Sequence, residues 1–103
     1  MSDSRRLQIT ALAARQIREA ESWWRLNRTA APNGVREELE RAFALIALQP
    51  HAGGRATNVR LSDVRRVFMS RIKYHGYYHV LSDPEYVEVV ALWHARRGDG
   101  PPI

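Results

Sequence analysis

The chain has 103 residues, which suffices for one small domain with a single core and leaves little room for a second. It contains no cysteine, which excludes a disulfide framework and any cysteine-liganded zinc site. No stretch reads as a secretory signal or a membrane span, so a cytoplasmic protein is expected. A formal net charge of +5 and a pI near 10.4 favour an acidic partner, whether nucleic acid, nucleoprotein or acidic protein segment.

All but one of the sixteen basic residues is arginine. The planar guanidinium suits phosphate and carboxylate, although a coding bias toward arginine accounts for the count equally well.

Residues 6–10 (RLQIT) alternate as a short strand with Leu7 and Ile9 on one face, and Thr10 offers a side-chain oxygen as the N-cap of a following helix. From Ala11 to about Arg28, Ala13, Ile17, Ala20 and Trp24 recur at helical spacing, opposed by Arg15, Arg18, Glu21 and Arg25. Trp23 and Trp24 stand about 100° apart on such a helix, so one of them is expected at the edge of the apolar stripe. Residues 27–34 (NRTAAPNG) break the helix, and Pro32 is expected in the first turn of a second one. Its stripe is Val35, Leu39, Ala42, Phe43 and Ile46, ending before Pro50. Two helices joined so briefly form an antiparallel hairpin that needs a sheet to cover.

Residues 49–58 (QPHAGGRATN) read as a mobile surface loop. Three strands follow, Val64 to Met69, Ile72 to Leu81 and Tyr86 to Trp93, with a Ser82-Asp83-Pro84 turn before the last. Strict alternation would put Val87, Val89, Ala91 and Trp93 on one face of the last strand and Val90 and Leu92 on the other. Both faces of that strand should therefore be covered. The expected fold class is α+β, a two-helix antiparallel hairpin on a small, mostly antiparallel sheet in the order β-α-α-β-β-β. It forms a single domain over residues 1–103, with 1–5 and 99–103 frayed.

Several of these pieces together resemble the RelE/ParE superfamily of toxins from type II toxin–antitoxin systems. The resemblance rests on Ala13-x-x-x-Ile17-x-x-Ala20-x-x-Trp23-Trp24 followed by Asn27-Arg28, on Ala31-Pro32, and on the loop from Pro50 to Gly54. It rests further on Val64-Arg65-Arg66, Tyr78 and the closing Ala91-Leu92-Trp93-His94-x-Arg96-Arg97-Gly98. It implies the same two-helix and sheet architecture, and it implies a cognate antitoxin whose acidic or amphipathic tail folds along the toxin in a hetero-oligomer.

The superfamily divides between ribosome-dependent mRNA endoribonucleases of the RelE kind and gyrase poisons of the ParE kind. The nuclease branch needs a dense set of cations and proton-transfer groups. Where its members commonly place a basic residue three before the third-strand tyrosine, this chain has His75. Arg66 is followed two positions on by Phe68, and His94 precedes Ala95 where some members have a His-Tyr pair. The long helices, the tandem tryptophans and Asn27-Arg28 resemble the ParE branch more closely.

The expected function is thus a ParE-like toxin that binds a replication target, foremost DNA gyrase. The alternative is a RelE-like ribonuclease acting on mRNA at the ribosome. Arg65, His75, Tyr78, His94, Arg96 and Arg97 are the residues expected to bind target or antitoxin, several of them converging at one end of the sheet, with none assigned to catalysis. For His94, capping the sheet by hydrogen bonding is favoured over a catalytic role. The spacing of His51, His75, His79 and His94 fits no zinc site, and neither metal nor cofactor is expected. A plain nucleic-acid-binding module would explain the charge but lacks a groove-reading element.

Overall fold

The structure, a computed structural model, describes residues 4–82 and 84–103. Its elements run β1 (Arg6–Ile9), α1 (Ala11–Asn27), α2 (Gly34–Leu48), β2 (Gly54–Arg55), β3 (Arg65–Met69), β4 (Tyr74–Leu81) and β5 (Tyr86–His94). The strands form one sheet in the order β1-β5-β4-β3-β2, antiparallel throughout except for β1, which runs parallel to β5. The α+β class and the element order are as expected, with β2 added. Asp83 of the Ser82-Asp83-Pro84 turn lies outside the described residues, as do residues 1–3 of the end expected to fray. No helix among the described residues is long and apolar enough to cross a membrane.

Thr10 does what its side chain suggested. Its hydroxyl oxygen accepts from the Ala13 amide at 3.2 Å, capping α1, while its own amide donates to Val89 at 3.0 Å and ties the cap to the sheet. The α1 stripe of Ala13, Ala20 and Trp24 is buried, as are Val35, Leu39, Ala42 and Ile46 of α2. Between the helices the chain takes two successive turns, with Ala31 N–H donating to Arg28 and Gly34 N–H to Ala31. Pro32 therefore sits before the second helix, not in its first turn.

The Trp24 indole fixes that geometry. Its Nε1–H donates to Ala31 carbonyl at 2.7 Å, and it lies so close to Gly34 that a Cβ there would fall 2.4 Å from Nε1. Only glycine allows α2 to start at this distance.

The alternation expected for β5 breaks at Val90. Tyr77 pairs with Ala91 and Tyr78 with Val89, so Val90 is an extra residue on β5. Such a bulge shifts the pleat, and the faces exchange across it. Val87 and Val89 pack under the helices with Ala13, Ile46 and Tyr78, and Leu92 joins Ala20, Trp24 and Leu39 on that same side. Val90 and Ala91 turn to the opposite face with Val64 and Tyr77, and Trp93 packs there too. Ala91 and Trp93 thus do not share the face of Val87 and Val89. Past the end of β1, the Leu92 amide has no strand beside it, and the Gln16 side chain accepts its hydrogen at 2.8 Å.

The segment after β2 and the C-terminal residues cover the far face. Ile103 packs against the Val64, Tyr77, Val90 and Ala91 cluster, its carbonyl accepts from Arg60 N–H at 2.9 Å, and Asn58 donates to the Tyr77 hydroxyl. The segment 99–103 is tied down by these bonds. At the other end Arg5 donates from its backbone to Ala47 and from its side chain to Glu85.

Candidate functional site

The loop at 49–58, expected to be mobile, is anchored from below. Tyr78 is 1% exposed, donates its hydroxyl proton to Pro50 carbonyl at 2.7 Å and accepts from Gly53 N–H at 2.9 Å. Burial pushes its hydroxyl pKa up, only partly offset by the Gly53 amide and the Arg65 charge, so the phenol stays protonated and donating. Arg65, paired with Tyr78 across the β3–β4 ladder, reaches the same loop and donates to Gly53 carbonyl at 2.7 Å. A Cβ on Gly53 would come within 2.7 Å of both the Arg66 carbonyl and the Tyr78 hydroxyl. Arg65 and Tyr78, both expected to bind a partner, hold the loop through these bonds, and Tyr78 offers nothing to solvent.

His75 and His94 do not converge. His94 pairs with Tyr74 and His75 with Trp93, so the two imidazoles lie on opposite faces of the sheet. On the far face the His75 ring lies tilted against Phe68, centroids 4.9 Å apart, and neighbours Arg66. Burial, with the Arg66 charge added, holds its pKa below the usual histidine value, and near neutral pH the ring is uncharged. His79 is taken up by Glu88 at 2.8 Å. Among the described residues no group of three or more histidines, aspartates and glutamates is placed to share a metal ion.

On the helix side His94 sits edge-on to Tyr74, ring centroids 5.0 Å apart, in the wall of a cleft of about 500 Å³. The C-terminal end of α1 supplies Trp23, Trp24 and Arg28. The β3–β4 turn supplies Arg71, Ile72 and Lys73, and Arg96 closes the rim. Trp24 belongs to the core, whereas Trp23 is 49% exposed with the Arg28 guanidinium 5.2 Å from its ring. A smaller hollow of about 140 Å³ continues on the other side of Trp23, Tyr74 and His94, reaching Glu19 and Arg97. Arg97 itself lies 3.8 Å over the Trp93 ring.

Charge in this cleft is lopsided. Arg71 is held by Glu37 at 2.8 Å and by Glu38 at 3.9 Å, but among the described residues no carboxylate pairs with Arg28, Lys73 or Arg96. Lys73 adopts φ 64°, a left-handed conformation that costs a side-chain-bearing residue about 1 kcal/mol or more. His94 accepts the Arg96 amide proton at Nδ1, 3.1 Å away, so a neutral ring carries its proton on Nε2.

Of the residues expected to bind, the structure thus brings His94 and Arg96 together here with Arg97 beside them, and separates Arg65, His75 and Tyr78. Sequence reading missed Arg28, Arg71, Lys73 and Tyr74. Ile72 and Lys73 were expected inside a strand, but β4 starts only at Tyr74, which leaves Arg71-Ile72-Lys73 in the turn, and nothing in the sequence showed that α1 ends against it.

The sequence matches the family model for the ParE toxin of the type II toxin–antitoxin system parDE over residues 7–98. No curated protein matches it. Among solved structures, the fold is similar to a chain of the chromosomal ParDE TA system from P. aeruginosa. The TM-score is 0.71 at 15% identity, covering 92% of this chain and 100% of that one.

Proposed function

The chain belongs to the ParE toxin family of type II toxin–antitoxin systems, and from that premise we propose that it arrests growth by binding a replication target, DNA gyrase, without catalysing a reaction. A cognate antitoxin neutralises it in a hetero-oligomer.

The observation that carries the binding reading is the scattering of the groups a sheet-borne ribonuclease would need. Cleaving RNA through its 2′-hydroxyl calls for a base, an acid and cations within reach of one phosphate. Here His75 and His94 are separated by the sheet, Phe68 stands where a second-strand cation would help, and Arg65 and Tyr78 are committed to the loop. Nothing in that arrangement favours one proton relay. A positive cleft with an exposed tryptophan is, by contrast, what a binding surface requires.

The antitoxin reading is supported by charge and by exposed apolar side chains. A net charge of +5 suits an acidic chain, and Trp23, Leu26, Leu45 and Leu48 remain exposed on the two helices.

Purified chain is expected to inhibit supercoiling by gyrase and to accumulate cleaved DNA complexes, with relief on adding the antitoxin. Gyrase activity unchanged at concentrations that arrest growth would refute the assignment.

A further inference from the structure

We propose that the cleft between the end of α1 and the β3–β4 turn binds single-stranded nucleic acid, with an unpaired base stacking on Trp23 and the flanking phosphates meeting Arg28, Lys73 and Arg96. The same cleft serves the gyrase reading, but oligonucleotide binding is measured without gyrase, so either reading can fail alone.

Phosphate recognition follows from the unpaired cations. Arg28, Lys73 and Arg96 come from three separate segments, and among the described residues none has a carboxylate partner. Three like charges converging on one hollow repel each other, and an anionic ligand removes that penalty. Lys73 is held there by a turn in which its amide donates to Met69 and its carbonyl accepts from Ala95, despite its left-handed backbone. Glycine would fit that backbone without strain, but it would carry no ammonium group.

Base recognition follows from Trp23. The core stripe of α1 is completed by Trp24, which is 9% exposed, so Trp23 is not required to fill the interior. Its ring stands half in solvent with the Arg28 guanidinium beside it, the pairing of aromatic plane and cation on which bases stack irrespective of sequence. The volume of about 500 Å³ suits a nucleotide-sized group, and the adjoining hollow across Trp23, Tyr74 and His94 gives the strand a way onward.

An acidic peptide would use the same cations, but its carboxylate side chains offer no flat ring to stack on Trp23 beside the Arg28 guanidinium. A duplex keeps its bases stacked on one another and away from Trp23. Nor is a groove-reading helix or ribbon required, the element whose lack weighed against a nucleic-acid module in the sequence.

The test is fluorescence anisotropy of a short labelled oligothymidylate titrated with the purified full chain across a salt series. Binding is expected to fall with salt. Trp23→Ala should weaken it roughly tenfold or more. Lys73→Gly, which the backbone accepts, should make the logarithmic salt slope shallower by about 0.7, the loss of one phosphate contact on a single strand. Arg15→Gln, a charge change on the solvated side of α1, should leave affinity within twofold. Any of four results would overturn the proposal: no binding, equal effects of the Trp23 and Arg15 variants, a duplex of the same length bound as tightly, or polyglutamate displacing the oligonucleotide as effectively as unlabelled oligothymidylate.

Discussion

The Tyr78 anchor and the Trp23 cleft both set arginine beside an aromatic ring, and they differ in what those residues have left over. At the anchor an arginine, a tyrosine and a glycine are joined by short hydrogen bonds: Tyr78 gives its proton to Pro50 and accepts from Gly53, and Arg65 gives to the Gly53 carbonyl. At the cleft two tryptophans, a tyrosine and several cations meet with Arg28, Lys73 and Arg96 unpaired and Trp23 half exposed. A satisfied cluster stabilises the fold. An unsatisfied one stands ready for a ligand, and residue type alone does not tell the two apart.

The contrast breaks first at Tyr78. Tyr78→Phe strands the Pro50 carbonyl and the Gly53 amide where water has little access, and should cost about 2–4 kcal/mol. For a chain of this size each kcal/mol lowers Tm by roughly 4–8 °C. Thermal unfolding gives the cost, and the fraction still folded should bind target as the wild type does. A stable Tyr78→Phe protein that had lost target binding would reverse the assignment of the two regions.

Lys73 should behave in the opposite sense. Lys73→Gly releases the left-handed strain and should leave the protein as stable or up to about 1 kcal/mol more so, while growth arrest weakens. Greater stability with undiminished arrest would remove Lys73 from the functional surface.

The smallest expected effect concerns His75, which belongs to neither region. Its pKa is held down in the fold, mainly by burial and further by Arg66, so the unfolded chain takes up a proton that the folded one resists. Its contribution is complete above about pH 6.5, the ordinary histidine value, and is lost as pH falls below that toward the folded pKa. Denaturant titrations of wild type and His75→Gln should diverge across this window, the wild type losing more stability on acidification. Parallel curves would mean that His75 is not shielded.

Much of the fold was legible because it follows from local chemistry. Thr10 read as a cap and is one, the stripes of both helices are buried as spaced except for the partly buried Ile17 and Phe43, and the antiparallel strands fall close to their expected limits. What escaped the sequence depended on contacts distant along the chain. The bulge at Val90 inverts the later half of β5, and simple alternation has no way to mark an inserted residue. The 49–58 loop looked mobile by its glycines, yet Tyr78, some twenty-five positions on, fixes it. Pro32 sits before α2, in a turn whose Ala31 carbonyl accepts from both the Trp24 indole and the Gly34 amide.

The candidate site was only partly legible for the same reason. His94, Arg96 and Arg97 could be picked from the closing motif, but Arg28, Lys73 and Tyr74 become neighbours only when α1 lies across the sheet. Arg65 and Tyr78 were chosen because they stand in motifs that resemble the toxin superfamily, and in the structure both hydrogen-bond the 49–58 loop.

The central claim is that this toxin binds a replication target and does not cut RNA. Inducing the chain in cells without its antitoxin, and following the DNA-damage response alongside protein synthesis over the first minutes, tests it most directly. An early DNA-damage response is expected while translation continues and transcripts stay intact. Immediate translation arrest with cleaved mRNA and no DNA-damage response, abolished in His94→Ala, would contradict it.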